Sequence, residues 1–193
     1  MSILLSLSPF AVFFGLMRLV SPIAGLIGAF VVSVLLCMRA RRRGESVKIL
    51  EIGSVVLFGL LVAYTLLAAP RWTVATVRLA VDGGLLTIVV VSLAIGRPFT
   101  LQYARERVPE PIWALPVFFT TNRRITVVWA MAFAVHVAAD AAAEYVPAVP
   151  LWVDIVASIG AFVGAVWFTR WYPAAVQRRF ANAAASERSP GVA

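Results

Sequence analysis

The segment "HVAADAAAEY", residues 136–145, places His136, Asp140 and Glu144 at four-residue steps. On an α-helix this spacing stacks the side chains along one stripe, about 6 Å apart per step. Imidazole and carboxylate groups carry protons and bind metals, so the stripe becomes chemically competent once a second helix completes it. Apolar surroundings hold three more ionisable residues that could do so: Asp82, with Arg78 one turn before it, and Asp154. Three chemistries follow. A Zn²⁺ or Mn²⁺ ion could take His136 and Asp140 with Asp82 or Asp154. A proton or substrate path could run through the carboxylates and the sole histidine, since ionisable groups inside a bilayer are costly and mark such paths. Alternatively the charges only pair: Arg78 with Asp82, Arg71 or Arg18 with Asp140 or Asp154, and Glu144 with water.

These residues belong to a chain built for lipid. Of its 193 residues 62% are hydrophobic and 13% charged, with net charge +8 and mean hydropathy +0.92, a combination that soluble domains rarely show. A bilayer core takes roughly 20 apolar helical residues to cross. Runs of that kind cover residues 23–38, 49–69, 79–95, 125–143 and 151–169. The stretch 3–19 is shorter and is interrupted by Pro9, which leaves a half-helix, a surface segment or a span open. The alternation a membrane barrel needs is absent from the long runs. The expected fold is all-α, a polytopic transmembrane helical bundle of five to six spans in a single domain over residues 1–180. The small, polar residues 181–193 are expected to be a disordered tail.

Short loops rich in Lys and Arg stay cytoplasmic. Arg39, Arg41, Arg42, Arg43, Lys48, Arg97, Arg105, Arg107, Arg123, Arg124 and the basic residues from Arg170 onward fall on one side, against Arg18, Arg71 and Arg78 on the other. This predicts a multi-pass protein of a bacterial-type inner membrane with a cytoplasmic C-terminus. Between two spans lies "SLAIGRPFTLQYARERVPEPIW", residues 92–113, where Gly96 and Pro98 end the helix. Residues 97–123 read as a cytoplasmic interfacial segment, with Arg97, Phe99, Tyr103, Arg105, Arg107 and Trp113 anchoring the bundle to anionic lipid headgroups or docking a membrane-protein partner.

The order of features resembles the intracellular septation protein A family of bacterial inner-membrane proteins. Pro9 with Phe13 and Phe14, the basic loop "RARRRGESVK" (39–48), "LFGLLVAYTLLAAPRW" (57–72), "IGRPF" (95–99) and "VPEPIW" (108–113) carry the likeness. Ala69 stands where that family has an acidic residue, and "TVATVRLAVDG" lacks its Lys-Pro pair. The resemblance implies a scaffold in septation or cell-envelope maintenance, without catalytic chemistry.

Other classes find little support. Cys37 is the single cysteine, so neither a disulfide framework nor a Cys-based metal site is available within one chain. Phosphate-loop, Ser-His-Asp and zincin patterns are absent, no cofactor is expected, and topology already accounts for the basic excess without nucleic acid. Small residues at four-residue steps, Gly25 and Gly28 with their alanine partners in "AGLIGA", and Gly160 and Gly164 in "ASIGAFVGA", mark helix-packing faces for intramolecular contact or a homodimer. The scaffold therefore stands beside two alternatives built on the His/Asp/Glu residues: a small transporter or channel, and a membrane-embedded metal enzyme.

Overall fold

In the computed structural model, residues 3–68, 72–146 and 150–188 are described. They form nine helices and, among the described residues, no strand: α1 (Ile3–Ser6), α2 (Ser8–Leu19), α3 (Pro22–Arg42), α4 (Ile49–Ala68), α5 (Val74–Ala94), α6 (Phe99–Arg105), α7 (Glu110–Trp113), α8 (Pro116–Tyr145) and α9 (Leu151–Arg188). Five, α3, α4, α5, α8 and α9, are long and apolar enough to cross a membrane. The chain is a multi-pass, all-α membrane bundle.

Each helix packs on the next, α2 on α3, α3 on α4 and α4 on α5, after which α8 covers α5 and α9 covers α8. Between helices in lipid the hydrophobic effect gives little attraction, so close contact and polar bonds must hold them. Glycine provides the contact at two seams. A Cβ on Gly25 would stand 2.8 Å from the Phe13 carbonyl oxygen, so α2 and α3 pack almost backbone to backbone there, and one on Gly28 would overlap the end of the Leu16 side chain. Gly53 meets Ile88 and Gly84 meets Leu57 between α4 and α5. Aromatic rings fill the rest. Phe10 and Phe13 of α2 face Phe58 of α4 at centroid distances of 5.2 and 6.1 Å, and Trp129 of α8 lies 5.5 Å from Phe162 of α9.

The first segment traverses the bundle. Ser6, before α2, donates to Glu51 at the start of α4 (3.1 Å), whereas Arg18, at the end of α2, lines a cavity with Arg78 at the start of α5. Because α4 and α5 run in opposite directions, those contacts lie at opposite ends. Residues 3–19 as helix measure about 25 Å, close to the thickness of a bilayer core. Both ends of the described chain, Ile3 and Arg188, therefore lie at the end that carries the basic loops.

The helices overrun several expected boundaries. α5 stops where foreseen: Ile95 caps it, Gly96 turns into the left-handed region (φ +68°), and the Arg97 amide bonds back to Ser92. This is a glycine C-terminal stop, where an ordinary side chain would be strained. α8, by contrast, begins at Pro116, a residue that suits a first helical turn, so residues 116–123 belong to the span helix and not to an interfacial segment. α9 continues to Arg188, which makes residues 181–188 helical, not a disordered tail; residues 189–193 lie outside the described residues. Gly160 and Gly164 also depart from expectation, since a Cβ on either would meet nothing within 4 Å. Their neighbours Ala161 and Ala165 face the core, and the glycines lie on the other side of α9.

These contacts predict opposite responses to the same kind of substitution. Gly25→Ala pushes a methyl group against backbone that cannot yield and should cost about 1–3 kcal/mol, whereas Gly164→Ala should be neutral or stabilising by up to about 1 kcal/mol. Thermal unfolding of each variant in detergent measures the difference.

Candidate functional site

Arg78, on the second turn of α5, reaches across to two other helices. Its Nη2 lies 2.5 Å from Asp140 Oδ1 on α8 and donates to Asp154 of α9 at 3.0 Å to Oδ2 and 3.3 Å to Oδ1. Asp82, one turn further along α5, is also buried and faces Asp140. Three carboxyl groups thus surround one guanidinium, with Asp140 at 1%, Asp154 at 2% and Asp82 at 3% exposure. Buried charges persist only when they are paired, because removing an ion from water costs several kcal/mol. The pairing is cross-helix, in place of the local Arg78–Asp82 pair expected from spacing, because one guanidinium can bridge acids that two neighbouring helices bring to it.

The predicted stripe exists and points inward along α8. Asp140 sits at its centre. Toward the helix end, Glu144 accepts from the Thr76 hydroxyl at 3.2 Å and from Thr73 at 3.4 Å, both at the start of α5, and is not left to water alone. Toward the membrane middle, His136 Nδ1 lies 2.7 Å from the Ala132 carbonyl oxygen. A carbonyl only accepts, so Nδ1 carries the hydrogen and Nε2 is the nitrogen available to the cavity beside it. That cavity, about 360 Å³, is bordered on its polar side by Arg18, Arg78, Asp82, His136, Asp154 and Ser158. Sequence spacing singled out five of these but assigned Arg18 to an ion pair and passed over Ser158, whose hydroxyl donates to Asp154 at 3.4 Å. Arg18 has no ion-pair partner among the described residues, and Arg71, the other candidate, lies outside them.

Among the described residues no three His, Cys, Asp or Glu side chains form a metal-binding group. The donors are arranged for something else: Arg78 occupies the space between the carboxylates, and His136 turns one nitrogen to its own helix. The set proposed for Zn²⁺ or Mn²⁺, His136 and Asp140 with Asp82 or Asp154, is therefore not brought together. What the arrangement offers is a charged, hydrogen-bonding wall inside a membrane, with groups that can hold or pass a proton.

The opposite end carries a second buried polar group that was expected to be a loop charge. Lys48, fully buried, pairs with Glu106 at 2.7 Å and sits 5.2 Å from the centre of the Tyr103 ring. The Lys48 amide donates to Glu51, which caps α4, and the Ile49 amide donates to Gln102 of α6. α6 is held down on the other side by Thr100, which donates to the Asn122 carbonyl of α8 at 2.9 Å. Phe99 and Tyr103, expected at the lipid interface, are consequently buried, and burial pushes the Tyr103 phenol well above its ordinary range. Only Arg97, Arg105 and Arg107 of the expected platform are exposed, with Arg105 stacked 5.4 Å over the half-buried Trp113.

No family model, curated protein or solved structure matches the chain.

Two outcomes test these clusters. Arg78→Gln leaves buried carboxylates without their counter-charge and should destabilise the bundle by about 3–5 kcal/mol; adding Asp154→Asn should recover part of the loss in the same unfolding assay. At the other end, partial burial works against the Glu106 carboxylate, but its bond to Lys48 outweighs that and holds the group below its ordinary pKa of 4.5. The stability it contributes is therefore present in full above pH 4.5 and lost as the pH falls through the lower folded-state pKa. Glu106→Gln should flatten that acid limb in a pH series of melting temperatures.

Proposed function

We propose that this chain is a small membrane transporter whose solute site is the cavity at Arg18, Arg78, Asp82, His136, Asp154 and Ser158. One observation carries the reading: three carboxyl groups and one arginine from three helices converge inside a membrane bundle, and the arginine and two of the acids, Asp82 and Asp154, border a cavity of about 360 Å³. Ligand pockets of 300–1,000 Å³ with a few convergent polar groups are the usual form of a small-molecule site. A purely structural ion pair needs one acid per base and no cavity. The excess acids and the available His136 nitrogen supply groups that relay protons, a common role for ionisable residues at membrane depth.

The distribution of arginine and lysine supports a bacterial-type inner membrane with the basic end, and so the C-terminus, in the cytoplasm. The cavity then belongs to the outer half of the bundle. A second reading, a septation or envelope scaffold of the kind the intracellular septation protein A resemblance implies, has in its favour the exposed Arg97, Arg105 and Arg107 beside Trp113. That surface would bind anionic headgroups or a membrane-protein partner.

Proton entry into proteoliposomes under an imposed membrane potential separates the two. Wild-type protein should carry protons faster than protein-free vesicles, and Asp82→Asn or Asp154→Asn should cut the rate at least about tenfold, a 1.4 kcal/mol effect. Neutralising Arg97, Arg105 and Arg107 together should leave it unchanged. Flux no greater than that of empty vesicles would sink the transporter reading; loss of co-purifying proteins on neutralising those three arginines would favour the scaffold.

A further inference from the structure

At the end that carries the basic loops, α8 and α9 border a second cavity, of about 400 Å³. Its polar lining is Thr120, Thr121 and Arg124 from α8 and Tyr172 and Arg179 from α9, and the rest is valine. None of these residues is an acid, and none stands near them on either helix: the first acid of α8 is Asp140, and α9 has none between Asp154 and Glu187. Two guanidinium groups therefore share a cavity with no carboxylate to balance them. The cavity at Arg78 differs in this respect, since acids border its arginines.

The lining also holds donors in reserve. Arg124 donates from Nη1 to the Tyr172 hydroxyl and lies 6.0 Å from the centre of that ring, which fixes the guanidinium and leaves Nη2 and Nε without a partner among the described residues. Tyr172 is stacked in turn on Phe168 at 4.9 Å. Because the Tyr172 oxygen accepts the Arg124 bond, its own hydrogen remains to be donated. Thr121 and Arg179 make no hydrogen bond or ion pair among the described residues; only Thr120 is committed, to the Pro116 carbonyl oxygen at 2.7 Å. Guanidinium forks and hydroxyl donors with no competing acid suit a phosphate.

Depth identifies the source of that phosphate. α9 begins at Leu151, and about 20 residues of helix cross a bilayer core, which brings the boundary close to Tyr172. Trp167 and Trp171, exposed at 59% and 47% and stacked at 5.3 Å, mark the same level, as tryptophans do at a membrane surface. Lipid phosphates lie at this depth, and basic pockets between membrane helices bind them. We propose that the cavity between Arg124 and Arg179 binds the phosphate of an anionic membrane lipid, one whose head carries no cation of its own. The phosphate oxygens accept from both arginines, Tyr172 and Thr121, and the lipid ties the ends of α8 and α9 together; an ammonium head finds no acid here to pair with. The site lies at the other end of the bundle from the Arg78 cavity and does not depend on the transporter reading.

Phosphatidylglycerol and phosphatidylethanolamine of the same acyl chains share the phosphodiester and differ by the ammonium group. Native mass spectrometry of the full chain in detergent should show phosphatidylglycerol bound at least about tenfold more tightly, the scale expected of two basic contacts at a membrane surface. Arg124→Gln with Arg179→Gln should bring phosphatidylglycerol down to the level of phosphatidylethanolamine. Arg123→Gln with Arg178→Gln removes the same charge from neighbours outside the lining and should leave the preference intact. All four arginines are exposed, so both pairs of substitutions leave the packing of the bundle in place. Equal binding of the two lipids by the wild type would overturn the inference. So would a preference that survives the first pair of substitutions, or that is lost equally with the second, because either result assigns the attraction to the basic end as a whole. Glycerol phosphate competing from water as well as the lipid does would overturn the lipid as occupant and put a soluble phosphate ester in its place.

Discussion

Arg78 cannot leave water without company, and that constraint arranges half of this protein. A lone guanidinium at this depth would be forced to snorkel or to drag water after it. Here it is met by Asp140 from α8 and Asp154 from α9 while Asp82 on its own helix closes the group. The three helices are thereby tied at one level, near the ends where α5 and α9 begin and α8 finishes. Because the acids outnumber the base, the arrangement that holds the helices together also leaves acceptor capacity over, and this surplus borders the cavity. Stability and chemical competence come from the same residues.

The opposite end solves a similar problem with different geometry. Lys48 is a point charge, and it is enclosed by one carboxylate, one aromatic face and the cap of α4. A lysine needs less shape from its partners than an arginine does. Between the two polar ends the bundle is held by rings and by glycines that let backbones touch. The first segment takes part in all three zones: Ser6 bonds at the basic end, Phe10 and Phe13 pack in the middle, and Arg18 reaches the cavity.

What was legible in the sequence was whatever a single helix determines. Apolar runs of span length and the three-residue stripe on α8 are local patterns, and both are present in the fold. Partners were not legible, because they depend on which helices become neighbours. Arg78 and Asp82 stand at the spacing of a local pair, yet Arg78 bonds to α8 and α9. Gly25 and Gly160 occupy the same small-residue pattern, but only the first has another helix opposite it. Phe99 and Tyr103 alternate with arginines as interfacial residues do, and nothing local reveals that Thr100 and Gln102 pin α6 into the bundle.

The burial of Lys48 also bears on the order in which the protein is made. When the loop after α3 emerges, this lysine is one more positive charge among Arg39, Arg41, Arg42 and Arg43, the kind of charge that resists transfer across a membrane. Its partners Tyr103 and Glu106 are translated only after two more spans have formed. The same side chain thus begins as part of a basic loop and becomes, once α6 folds back over it, an internal tie, so that a charge first presented at the surface is enclosed when the helices assemble.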